Sequence, residues 1–117
     1  MADGVRSMGE LDFARLCRRY GLPEPQRQVV RRGPHGRIYL DVRWELRSLV
    51  VEIDGIAHDT PAAWIPDALR QNWVTLGNDR VLRIPVLGLR IAEAAFMEQL
   101  AEGLRQVGCP LPRRTAA

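Results

Sequence analysis

Two short runs constrain this chain more than any other feature: Ile38-Tyr39-Leu40-Asp41-Val42-Arg43-Trp44 and Leu49-Val50-Val51-Glu52-Ile53-Asp54. In the first, Ile38, Leu40, Val42 and Trp44 alternate with Tyr39, Asp41 and Arg43, the period of a strand with one apolar face. The second is apolar except for Glu52 and Asp54, which share a face. The strands read as Arg37 to Trp44 and Ser48 to Asp54, joined by the short connection Glu45-Leu46-Arg47 into one antiparallel hairpin. If the loop takes in Ser48 as a fourth residue, Trp44 opposes Leu49, Asp41 opposes Glu52 and Tyr39 opposes Asp54. Opposed side chains then have Cβ atoms about 4.5–5.5 Å apart. A connection one residue shorter or longer would send Asp41 and Glu52 to opposite faces.

Three carboxylates converging on one face need a partner. Like charges directly opposite repel, and a buried carboxylate is costly unless it is paired or ligates a metal. A proton, an arginine or a divalent cation each resolves the conflict. In the arginine solution Asp41 pairs with Arg43 or Arg83, and Glu52 and Asp54 salt-bridge elsewhere. In the cation solution the oxygens suit Mg2+ or Mn2+, which accept one or two carboxylates, keep several waters and leave room for a substrate phosphate. Such an ion would offset phosphodiester charge and lower the pKa of a bound water.

The rest of the chain supplies a domain to carry the hairpin. Ser7-Met8-Gly9-Glu10 is a capping box, and the apolar stripe through Leu11, Phe13, Ala14, Leu16 and Cys17 predicts a helix over about residues 8–20, stopped by Gly21 and Pro23. Residues 26–32 read as a polar-edged strand, and Gly33-Pro34-His35-Gly36 as a turn. A helix over 60–76 opens on Thr60-Pro61 and is expected to kink at Pro66. Asp79 to Pro85 is a further strand. Ile91 to Val107 is a closing amphipathic helix with Ile91, Ala94, Ala95, Leu100 and Leu104 on one side. The residues from Pro110 read as a disordered tail. No repeat or linker divides the 117 residues, so residues 1–117 form a single domain in the order α-β-β-β-α-β-α, a small α/β or α+β sandwich.

Charge and cysteine usage narrow the function classes. All 17 basic side chains are arginine and the net charge is +3. That excludes a catalytic lysine and suits phosphate and guanine, both of which arginine grips bidentately. No apolar run approaches the roughly 18 residues of a membrane span, and the first residues lack a signal-peptide core, so a cytoplasmic protein with no membrane partner is expected. Cys17 and Cys109 lie far apart, with no disulfide or zinc pattern. Trp44, Trp64 and Trp73 read as packing residues and His35 as an exposed turn residue. Arg31, Arg32 and Arg37 read as a solvated basic edge or one that follows phosphates.

The order of these residues resembles a known family. Glu10 on a first helix is followed by Asp41, by Glu52-x-Asp54-Gly55, by His58, and by a helix with Asp67 and Arg70. Leu76-Gly77 then precedes Asp79-Arg80-Val81-Leu82-Arg83. This pattern is similar to the uncharacterised endonuclease-domain family related to very-short-patch-repair endonucleases, within the PD-(D/E)XK nuclease superfamily. The resemblance spans about residues 7–107 and is most specific in VVEIDGIAHDTP and DRVLRIP. It implies a restriction-endonuclease-like mixed central sheet flanked by helices, with Mg2+ or Mn2+ gathered by acids on neighbouring strands. It implies Asp41, Glu52 and Asp54 as catalytic metal ligands and His58 as a general base or water-positioning group. Glu10 and Asp67 become accessory acids, and Arg37, Arg70, Asn72, Arg80 and Arg83 become DNA contacts.

Two features depart from the superfamily. Asp54 falls where many members place Lys, although the nearer family often has Asp there. The helix after His58 is thin in charge, with Pro66 near its start and apolar Ala68 and Leu69 between Asp67 and Arg70. The implied function is a metal-dependent DNA endonuclease hydrolysing phosphodiester bonds. The departures motivate an alternative, a catalytically weakened nuclease-fold module that binds DNA or a protein partner. Small domains of this kind act beside other components, so a partner protein could supply specificity.

Overall fold

The computed structural model describes residues 11–32, 38–55, 64–76 and 81–111; for residues 64, 67, 70, 71 and 74 it describes the backbone alone. Four strands form one sheet in chain order: β1 (Arg27–Arg32), β2 (Ile38–Trp44), β3 (Leu49–Asp54) and β4 (Val81–Pro85). The first three pair antiparallel, and β4 lies parallel to β3. The helices are α1 (Phe13–Arg19), α2 (Trp64–Thr75), α3 (Val86–Ile91) and α4 (Glu93–Gln106). The class is therefore mixed α+β with a four-stranded mixed sheet. The order follows the sequence expectation except for one added helix, Val86–Ile91, which takes in Ile91 and leaves the closing helix to begin after Ala92.

The hairpin connection fixes the register of the sheet. Glu45–Arg47 forms one 3-10 turn, and Ser48 closes it in the left-handed region at φ 55°, its N–H donating to the Glu45 carbonyl at 3.3 Å. That four-residue link leaves Trp44 opposite Leu49 and Asp41 opposite Glu52. One sheet face is then apolar: Leu40, Val42, Trp44, Leu49, Val51, Ile53, Leu82 and Ile84 are all buried. α1 and α4 cover it. Phe13 meets Trp44 edge-on at 6.2 Å, and Gly103 of α4 lies close to Leu49 and Leu82. The buried Trp44 indole donates to the Pro23 carbonyl at 2.9 Å, so its polar handle is satisfied.

Both covering helices end on glycine for the same reason. Gly21 and Gly108 adopt φ 69° and 96°, a region costly for any residue with a Cβ. Leu22 and Cys109 then donate to the Cys17 and Leu104 carbonyls, each at 2.9 Å, which closes a Schellman turn after each helix.

Three boundaries differ from the sequence reading. α1 begins at Phe13, because the Asp12 carboxylate accepts from the Arg15 N–H and caps it; Leu11 and Asp12 are not helical. The Ser7-to-Glu10 capping box lies outside the described residues, as do Thr60-Pro61 and residues 112–117. α2 is one element of 12 residues rather than a kinked pair. Pro66 lies within this element without dividing it. On α4 the buried stripe is Phe96, Met97, Leu100 and Leu104, whereas Ile91 is 59% exposed and belongs to α3.

Candidate functional site

The second face of the sheet carries the chemistry. Strand alternation places Arg27, Val29 and Arg31 of β1, Tyr39, Asp41 and Arg43 of β2, Val50, Glu52 and Asp54 of β3, and Val81, Arg83 and Pro85 of β4 on it. These residues are exposed or half-buried, with one exception: Asp41 is only 7% exposed. The carboxylate most deeply placed therefore sits in the middle of the sheet's open side, directly opposite Glu52.

Arg31 explains how Asp41 tolerates that position. β1 faces Arg31 to Tyr39, one diagonal step from Asp41. The guanidinium donates from Nε to Asp41 Oδ2 at 2.8 Å and from Nη2 to Asp41 Oδ1 at 3.3 Å. The same Nη2 reaches Glu52 Oε1 at 3.5 Å. The guanidinium carbon lies 4.5 Å from the centroid of the Tyr39 ring, which adds a cation–π contact. The hydrogen bond to Asp41 raises the Arg31 pKa above its ordinary value, opposed by slight desolvation and reinforced by the charges of Asp41 and Glu52. One fixed cation thus spans two opposed acids.

Beside this bridge a cleft of about 320 Å³ opens over β3 and β4, lined by Tyr39, Glu52, Asp54, Arg83 and Pro85, with Ala68 of α2 on its rim. Arg83 stands opposite Glu52, is exposed, and forms no ion pair among the described residues. Glu52, Asp54 and Arg83 therefore line one cleft, and Asp41 faces Glu52 at its side.

Asn72 is a correction. The sequence reading made it a DNA contact, but it is 2% exposed and its amide is fully engaged. Its Nδ2 donates to the Arg83 carbonyl at 2.7 Å and to Gln99 Oε1 at 3.0 Å, and its Oδ1 accepts from the Arg83 N–H at 3.0 Å. Asn72 therefore docks α2 onto the outer edge of β4, which has no further strand beside it among the described residues. Asp67 and Arg70 lie on α2, their side chains outside the description. Glu10, Arg37, His58 and Arg80 lie outside the described residues.

The donor set fits a hard cation. Asp41 and Glu52 offer facing carboxylate oxygens that already hold a positive group, and two carboxylates with waters are what Mg2+ accepts. Among the described residues no three His, Cys, Asp or Glu side chains gather closely enough to hold a metal ion. All three expected ligands are described: Asp41 faces Glu52, while Asp54 lines the cleft beside them and does not complete a three-carboxylate cluster.

Asp41 pairs with Arg31, an arginine expected on a basic edge, rather than with Arg43 or Arg83, the partners expected from the sequence. The available signal was the spacing of β1: five residues, 33–37, lie between Arg32 and its partner Ile38, and that length aims Arg31 at the acids. Comparison with family models, with curated proteins and with solved structures finds no match for this chain.

Proposed function

We propose that this chain is a divalent-metal-dependent DNA endonuclease with a restriction-endonuclease-like fold, of the family its sequence resembles. The observation that carries this reading is the Asp41–Glu52 pair, opposed in register on an open, arginine-lined sheet face. Asp41 and Glu52 would hold Mg2+ or Mn2+. The ion, when bound, supplies a nucleophile at neutral pH and offsets charge on the phosphodiester. Arg83 borders the same cleft and is placed to grip a phosphate oxygen, while Arg27 and Arg43 extend positive charge along the face. His58, four residues beyond the end of β3, is assigned to orienting the attacking water, and Arg37, Arg70 and Arg80 to the DNA backbone.

The test is cleavage of supercoiled, nicked and single-stranded DNA by purified protein with Mn2+ or Mg2+. Asp41→Asn and Glu52→Gln are expected to lower the rate by more than about a hundredfold, because changes one shell further from a metal already cost about 10–100-fold. Intact DNA in every form, with either ion, overturns the enzymatic reading.

The Arg31 bridge favours a second reading, a nuclease-fold module in which arginine has replaced the metal. That protein would bind DNA with a salt-dependent affinity, would take up no Mn2+, and would bind DNA equally well as Asp41→Asn.

A further inference from the structure

We propose that Arg31 is the resident counter-ion of Asp41 and Glu52, and that a divalent cation loads only when this guanidinium leaves them. The inference rests on the reading above, in which the same pair takes a metal. It adds a residue outside the expected ligand set and a competition that the acids alone do not imply.

The geometry makes the two occupants exclusive. Both Asp41 oxygens accept from Arg31, at 2.8 and 3.3 Å, and the nearer Glu52 oxygen lies 3.5 Å from the same Nη2. A Mg2+ ion shared by these carboxylates needs oxygens at about 2.0–2.1 Å. It would occupy the space that Nη2 spans and press one cation against another. In the low-dielectric surroundings of a 7%-exposed carboxylate that repulsion is poorly screened.

Arg31 is also built to move. It belongs to β1, an edge strand with largely exposed side chains, and its own side chain is 44% exposed. The Tyr39 ring offers a surface along which the guanidinium can slide off the acids while keeping its cation–π contact. Asp41 has no such freedom, held mid-strand between β1 and β3. Arg31 is thus a positioning residue that keeps the acids paired and aligned without metal, at the expense of metal affinity.

The experiment is calorimetric titration of Mn2+ into the full chain as wild type, Arg31→Met and Arg31→Lys, with thermal melts with and without Mn2+. Met keeps the length and the packing on Tyr39 but removes the charge. Lys keeps the charge but cannot engage three carboxylate oxygens from one planar group. Arg31→Met is expected to bind Mn2+ at least about tenfold more tightly than wild type, within the usual span of coupling between linked sites. It should melt lower than wild type without metal and recover more on adding Mn2+. Arg31→Lys should fall between them, and it carries the test alone if Arg31→Met does not fold. A purely structural role predicts weaker Mn2+ binding on substitution, never tighter. Equal or weaker binding by the folded variants overturns the competition while leaving the metal site standing. No Mn2+ uptake by wild type or by either variant overturns both the competition and the metal site.

Discussion

Replacing Asn72 by alanine should unfold this protein's α2 edge more than its site. Asn72 makes three hydrogen bonds, two to the Arg83 backbone and one to Gln99, and both side chains are within 2% of full burial. At about 1 kcal/mol net for each bond the loss is about 3 kcal/mol. Gln99 Oε1 is left in a dry environment, where an unsatisfied acceptor alone costs about 1–3 kcal/mol, so the total is about 4–6 kcal/mol. That is a large share of the roughly 5–15 kcal/mol available to a domain. With a urea slope of about 1–3 kcal/mol/M, the midpoint should fall by at least about 1 M. Equilibrium urea unfolding followed by circular dichroism reads this directly. Asn72→Asp offers a chemical check: its carboxylate keeps the bond from the Arg83 N–H but sets charge against two acceptors. That loss should shrink at low pH, where the protonated acid can donate again. A loss below about 1 kcal/mol for Asn72→Ala would refute the docking role, and so would a folded variant whose DNA affinity drops while its stability does not.

Other substitutions probe separate links. Gly88→Ala places a Cβ 2.5 Å from Phe96 Cε2, and because Phe96 is 1% exposed the ring has little room to yield. A loss of about 1–3 kcal/mol by thermal melting is expected; an unchanged melt contradicts that packing. Arg83→Ala should leave stability within about 0.5 kcal/mol, because the side chain is exposed, while lowering the salt slope of DNA binding by about one. An unchanged slope removes Arg83 from the interface. Burial, followed by the nearby charge of Glu24, pushes the Cys17 thiol up to about 12. The folded state then keeps a proton that the unfolded thiol gives up near pH 9, so this contribution to stability is present below pH 9 and is lost as pH rises towards 12. Wild type should lose more stability than Cys17→Ala between pH 8 and about pH 10.5 in urea titrations; parallel losses would show the thiol is not the cause.

The hairpin was readable because its information is local. Alternation sets the faces of Ile38–Trp44 and Leu49–Asp54, and the pairing of Asp41 with Glu52 follows once the loop is taken as Glu45 to Ser48, a choice the apolar residues do not make by themselves. Arg31 was not readable, because its partner depends on a second register across residues 33–37, and an arginine on an edge strand reads as solvated until that register is known. Asn72 failed differently. The resemblance makes it a DNA contact, yet the backbone of β4, with no further strand beside it among the described residues, attracts a side-chain amide that offers both a donor and an acceptor. The closing helix was misphased because Ile91 fits the apolar period, and the break at Ala92 that excludes it leaves no proline or glycine as a mark.

The most direct measurement of the proposed centre is paramagnetic broadening of backbone amide resonances by sub-stoichiometric Mn2+. An ion held by Asp41 and Glu52 should broaden the amides of Asp41, Val51, Glu52 and Ile53 first, leave α1 and the far end of α4 sharp, and lose this pattern in Asp41→Asn. Broadening centred elsewhere, or spread evenly over the acidic surface and unchanged in Asp41→Asn, would contradict a metal site between these two strands.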